Sequence, residues 1–241
     1  IRRWIIENDW LEAIVALPLN MFYNTGIATY IWVLSNRKPE HRRGHVQLID
    51  ATQWYKPLRK NLGKKNCELS DEDIQRICDT FLAFEETEQS KVFPNEALGY
   101  WKVTVERPLR LPGIDANRAY TSKEIKTLQE DHQVNENAPA VIKKIHKLGT
   151  EPDPICGLFE TTIKGSKRVI EYESDSGLRD TEQVPLLEEG GIEGFIRREV
   201  LPYASDAWYV KSSIKIGYEI NFNRYFYKPQ PLRSLEEIRA D

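Results

Sequence analysis

The chain has 241 residues, with 34 basic against 37 acidic side chains, a formal net charge of −3, 40% apolar residues and 29% charged ones. That length can bury a sizeable core in one large or two small domains, and the net charge excludes any bulk attraction to nucleic acid, so DNA binding would need a local basic surface or another subunit. The three cysteines, Cys67, Cys78 and Cys156, are far apart and odd in number. They offer neither metal spacing nor a disulfide framework and point to a reducing cytoplasm; no apolar run reaches membrane-spanning length.

Ile1, Trp4, Ile5 and Ile6 share a helical face, so the spacing predicts a helix over residues 1–10, already under way at the first residue. Leu11–Leu17 is a short apolar run closed by Pro18 and predicts a buried strand. A loop, LNMFYNTGI, leads to a second strand over Ala28–Leu34; Arg37–Gly44 reads as a charged loop and Val46–Ile49 as a third strand. That order suits the closing edge of an α/β sheet. Asn61–Asn66 predicts a polar turn, and Ser70 with Asp73 caps a helix carrying Ile74, Ile77, Cys78, Phe81 and Leu82 on one face. Tyr100–Val105 alternates as a strand, and residues 121–148 predict two helices.

Beyond Gly149, Phe159–Ile163 and Arg168–Tyr172 pair as a hairpin across Lys164-Gly165-Ser166, Ser174–Gly191 reads as an acidic loop, and Ile192–Leu201 as an amphipathic helix stopped by Pro202. Trp208–Tyr227 is dense in aromatics and ends in Lys228-Pro229-Gln230-Pro231. Ser234-Leu235-Glu236-Glu237 is a capping box that opens a helix close to the last residue. Both ends, with Met21 the only methionine, read as cut from something longer. Composition changes beyond Gly149, and domain boundaries are placed near residues 52 and 110.

Between the first two strands lie Asn20, Phe22, Tyr23, Asn24, Thr25 and Gly26. Ligands of open α/β sheets sit in crevices at strand ends, which makes this loop a candidate site. The plainer reading is that Phe22 and Tyr23 plug the core beneath it.

The segment Ile5–Lys38 resembles the stretch that follows the catalytic motif of adenine-N6 DNA methyltransferases, particularly the modification subunits of type I restriction-modification systems. The shared order is a helix (Ile1–Asp9), a strand ending in Leu-Pro (Leu11–Pro18), a loop with Phe-Tyr-x-Thr-Gly-Ile (Phe22–Ile27) and a strand rich in Ile, Val and Leu (Tyr30–Leu34). Gly63–Ile77, Gly99–Pro108, Asp180–Pro185, Glu199–Pro202, Asp206–Trp208, Lys215–Tyr227 and Pro231–Glu237 add matches in the same order; roughly 112–150 is less diagnostic.

The resemblance implies an α/β to α+β fold: the closing strands of a doubly wound, Rossmann-like methyltransferase sheet over residues 1–52, a connecting region over 53–110, and a mixed helical and β-containing C-terminal region over 111–241 that contacts the specificity subunit. It implies S-adenosylmethionine as methyl donor and DNA as substrate, in an assembly with specificity and restriction subunits. Phe22 occupies the position whose aromatic stacks on an adenine flipped out of the duplex, with Tyr23 and Asn24 as candidate contacts. Flipping costs a few kcal/mol and one aromatic stack returns roughly 1–3 kcal/mol, so Phe22 would offset only part of the cost. The glycine-rich donor loop and the Asn-Pro-Pro-Phe motif are absent from the sequence, so no catalytic or cofactor-binding residue is assigned here and the chain alone is expected to be inactive. The rival reading is a non-catalytic assembly module derived from such a subunit.

Lys56, Arg59, Lys60, Lys64 and Lys65 form the densest basic cluster. They are candidate DNA phosphate contacts, against the commoner case of a solvated charged loop. His41 and His45 are four apart, but Gly44, Arg42 and Arg43 argue against both a helix and a bound cation, so no metal site is expected. His132 and His146 read as surface residues of charged helical stretches, and no nucleophile turn supports a hydrolase. The aromatics of Trp208–Tyr227, interleaved with Lys211, Lys215 and Arg224, fit packing plus subunit contact better than single-strand stacking.

Overall fold

Six consecutive buried residues, Leu11–Ala16, form the strand around which the first part of the molecule is organised. A computed structural model describes residues 1–131, 133–227 and 239. They fall into two units, Ile1–Leu98 with the chain from Tyr218 onward, and Gly99–Gly217.

In the first unit, in chain order, α1 is Arg2–Glu7, β1 Leu11–Ala16, β2 Tyr30–Leu34, β3 His45–Asp50, β4 Lys56–Leu62, β5 Lys65–Glu68, α2 Asp71–Ala83 and β6 Ser90–Pro94. One sheet runs β2-β1-β3-β6. β1 is parallel to β3 and antiparallel to β2, and β3 is antiparallel to β6. The unbroken burial of β1 is that of a strand covered on both faces. β2 is equally apolar yet lies at the sheet edge, where Tyr30, Ile31, Trp32 and Leu34 are 39–51% exposed. Of the apolar face expected for α1, Ile6 is buried, whereas Ile1 and Trp4 are exposed.

The stretch expected as a charged loop is stapled to the sheet. Asp9, at φ 56°, accepts from Lys38 Nζ at 2.6 Å, Asn95 Nδ2 at 2.9 Å and the Gly44 amide at 3.0 Å. Burial pushes the Asp9 carboxyl up, but these three donors together hold it below the usual carboxylate value. The Lys38 side chain is 2% exposed and also donates to the His45 carbonyl.

α2 begins with the expected cap: Ser70 Oγ accepts from the Asp73 amide while the Asp73 carboxylate accepts from the Ser70 amide. Its buried face is narrower than the sequence suggests. Ile77 and Phe81 pack on the Val15, Leu17, Ile49, Ala51 and Trp54 core, while Ile74, Cys78 and Leu82 are exposed. Polar fastening makes up the difference. Arg42 stacks on Phe81 and Phe84 and donates to the Phe81 carbonyl and Gln47 Oε1. Fully buried Gln47 donates to the Thr80 carbonyl and Ser90 Oγ.

In the second unit β7 is Gly99–Glu106, α3 Ser122–Asp131, β8 Ile142–Ile145, β9 Phe159–Ile163, β10 Ser166–Tyr172, β11 Asp180–Pro185, α4 Gly191–Phe195, β12 Trp208–Tyr209 and β13 Lys215–Tyr218. β11 and β12 pair with β7, as does β13, and a second sheet runs β8-β10-β9. α5, Phe222–Phe226, belongs to the first unit.

Two expectations for this unit need correction. Only the first of the two helices over 121–148 forms; the second is β8, paired antiparallel to β10. Ile142 and Ile145, three apart around exposed Lys143 and Lys144, have helical spacing, and the strand packs both on one core across a register shift at Glu171/Tyr172. His146 accordingly follows a strand, half-buried against Glu171. Within the acidic 174–191 stretch, Asp180–Pro185 pairs with β7 along its whole length; the ladder holds it although only Val184 is buried. The helix before Pro202 is α4 continued by a π-helical turn, Ile196–Val200. The architecture is mixed α/β, with sheets in both units and few helices. Lys228–Pro231, Ser234–Glu237 and His132 lie outside the described residues.

Candidate nucleic-acid interface

β1 ends at Ala16, just before Leu17-Pro18, and the chain crosses the strand ends before returning as β2. Asn20 (φ 57°) and Asn24 (φ 55°) take left-handed conformations, which asparagine adopts at lower cost than most residues. Between them Met21 turns inward and packs on the Val15–Trp54 core. The residue plugging the core is therefore Met21. Phe22 and Tyr23 are 46% and 68% exposed, and Asn24 is exposed beside them.

β4 and β5 form an antiparallel hairpin whose register shifts between Pro57 and Leu62. Its turn is Gly63-Lys64, with Gly63 at φ 61°, a value that two-residue hairpin turns reserve for such residues. Cys67 is its one buried side chain. The hairpin is fixed to the loop by its second strand: the Asn66 amide donates to the Asn20 carbonyl at 3.1 Å, and the Cys67 thiol donates to the Leu19 carbonyl at 3.2 Å. Burial raises the Cys67 thiol, with Lys65 opposing.

All five residues of the basic cluster lie on this hairpin, which carries one acid, Glu68. Lys56, Arg59, Lys60 and Lys64 are exposed and Lys65 is half-buried. Among the described residues none of the five is in an ion pair, whereas fourteen ion pairs engage other basic residues. The expected loop is thus a strand pair. Pro57 and the register shift hid its periodicity, while Gly63 between two short runs was the available signal.

A cleft of about 870 Å³ opens at the ends of β1 and β3, lined by Leu19, Asn20, Tyr30, Asp50, Trp54 and Phe222 among others. Phe22, Tyr23 and Asn24 are not in its lining. Among the described residues no group of His, Cys, Asp and Glu could hold a metal ion, and no helix is long and apolar enough to cross a membrane. The arrangement combines stackable rings, side-chain amides and uncompensated cations, a combination suited to nucleic acid.

Residues 1–99 match the family described as N-6 DNA Methylase. The chain is 38% identical over 105 residues to the type I restriction enzyme MjaIX methylase subunit of Methanocaldococcus jannaschii, covering 43% of this chain and 17% of that protein. It is 29% identical over 151 residues to the MjaVIII methylase subunit of the same organism, covering 63% of this chain and 23% of that one. A crystal structure of a type I restriction-modification system methyltransferase subunit from Streptococcus thermophilus is 23% identical, covers 41% of this chain and 19% of that one, and superposes with a TM-score of 0.34. The chain thus spans about a fifth of the length of the two curated relatives. Residues 1–99 are thus similar to the N-6 DNA methylase family, and part of the chain is similar to the methylase subunits of type I restriction enzymes.

Proposed function

We propose that this chain is part of a type I modification subunit that transfers a methyl group from S-adenosylmethionine to adenine N6 in DNA, with the target read by a separate specificity subunit and a restriction subunit completing the assembly. The loop after β1 would receive the flipped adenine, with Phe22 stacking on it and Tyr23 and Asn24 beside it. The β4–β5 hairpin would meet DNA phosphates through Lys56, Arg59, Lys60, Lys64 and Lys65. The observation that carries the reading is the pairing, within the methylase segment, of two exposed aromatics with a hairpin of unpaired cations. The open, apolar edge of β2 supports placing these strands at the close of a larger doubly wound sheet, since so apolar an edge is ordinarily covered. The region beyond residue 111 would meet the specificity subunit.

The chemistry gives each group a task. The N6 lone pair is delocalised into the purine ring, so the base must leave the stack and be held with N6 toward the donor. Stacking on Phe22 offsets part of the flipping cost, and backbone contacts set the register of the duplex without reading sequence. The donor supplies an electrophilic methyl group. No strand-to-helix glycine-rich turn of this chain would hold it, so no donor contact is assigned here, and the chain alone is expected to transfer nothing.

The test is Phe22→Ala in the full-length subunit assembled with its specificity subunit. Loss of roughly 1–3 kcal/mol of stacking should slow methylation about tenfold to a hundredfold, while stability changes by no more than about 0.5 kcal/mol, as expected for an exposed side chain. Phe22→Tyr should retain most of the rate. Equal losses of rate and stability would leave the assembly-module reading in its place.

A further inference from the structure

The backbone of the hairpin turn sits directly against two side chains of the loop. A Cβ on Gly63 would lie 2.4 Å from Asn24 Oδ1 and 3.1 Å from Tyr23 Cε2. The first distance is shorter than any van der Waals contact, so the Asn24 side chain, on a residue at φ 55°, would have to move. Two further ties, from Asn66 to the Asn20 carbonyl and from Cys67 to the Leu19 carbonyl, hold the start of the loop to the same hairpin. One element thus holds the loop at its start and meets it again at Tyr23 and Asn24, and the hairpin's tip residue Lys64 is an exposed cation adjacent to the contact.

From this geometry we infer that Gly63 is a positioning residue: the β4–β5 hairpin is a strut that sets Tyr23 and Asn24, and through them the base-facing loop, when its cations meet the DNA backbone. The inference rests on the proposed function for the loop's task but not for the contact itself. Backbone binding and base capture then become one event, because the cations and the loop's support lie on the same two strands.

Gly63→Ala tests the strut against a matched control. Gly165 is also a hairpin-turn glycine, at φ 78°, but a Cβ there meets nothing within 4 Å, so Gly165→Ala introduces the turn strain without the collision. Amide hydrogen exchange on this chain should rise severalfold across residues 19–27 in Gly63→Ala and stay unchanged there in Gly165→Ala. Adding Asn24→Gly, which removes the colliding amide at a position glycine tolerates, should restore protection. In the full-length assembly, Gly63→Ala should lower the methylation kcat about tenfold or more, with the KM for the methyl donor unchanged. Unchanged exchange in the loop would overturn the strut. Raised exchange with an unaltered kcat would keep the contact but overturn its role in positioning the loop, and would count against the base-facing reading as well.

Discussion

The molecule contains two hairpins built to opposite specifications. β9–β10 joins a three-stranded sheet and buries Ile163, Val169 and Ile170; its Lys167 pairs with Glu160, and its turn glycine faces open space. β4–β5 stands as a two-stranded sheet with Cys67 as its buried side chain, five cations without ion pairs among the described residues, and a turn glycine pressed against a loop. A two-stranded hairpin is marginal by itself. β4–β5 is held by what it touches, and its composition serves what it presents. β9–β10 is held by its own core.

Six variants would break or sharpen that contrast. The largest effect is expected for Ile170→Ala, which empties a fully buried site and should cost about 3 kcal/mol by chemical denaturation. Leu62→Ala, exposed on β4, should stay within about 0.5 kcal/mol; a comparable cost would mean that β4–β5 has a core of its own. Next is Asp9→Asn, just before β1 and at the end of that strand opposite the loop, expected to cost about 3 kcal/mol at neutral pH because buried Lys38 loses its counter-charge. The Asp9 carboxyl is held below its ordinary value in the fold, so its contribution is complete above the unfolded-state value of about 4 and is lost as pH falls through the lower folded value. An acid titration of stability should therefore show a shallower acid limb in the variant than in wild type.

Replacing the five hairpin cations with glutamine should make the salt dependence of DNA binding by the full assembly less steep, by about 0.9 in the log–log slope for each cation that meets a phosphate. The same change at Lys164, Lys167 and Arg168 of β9–β10 should leave the slope alone; equal effects would erase the distinction. Gly165→Ala should cost about 1 kcal/mol of turn strain, with no change in DNA binding.

How much of this was legible in the sequence varies with what stabilises each part. β1, α2 and the β9–β10 hairpin were readable because burial periodicity or turn chemistry fixes them locally: six apolar residues before Pro18, a capping box at Ser70, and glycine at a turn. β11 was not readable, since a strand carrying Asp180 and Glu182 is held by its ladder to β7, which is remote in sequence. β8 was not readable because two isoleucines three apart have helical spacing, and the register shift that accommodates them lies in its pairing with β10. At the candidate site, the residue types of the loop and the basic cluster were evident, and residues 22–24 and 56–65 prove to lie on adjacent elements. Two things were hidden: that Met21 rather than Phe22 fills the core, and that Gly63 abuts Asn24. Both depend on which way a loop without periodicity turns its side chains.

The most direct test of the central claim is a binding cycle between Phe22 and the target base. DNA affinity of the full-length assembly would be measured for wild type and Phe22→Ala, on a duplex with the target adenine and on one where that nucleotide is abasic. Stacking on the flipped base requires Phe22→Ala to weaken binding of the adenine duplex by about tenfold, in line with roughly 1–3 kcal/mol per stacked base, and to leave the abasic duplex unaffected. An equal loss on both duplexes would show that Phe22 acts without touching the base, and would contradict the assignment of this loop as the adenine site.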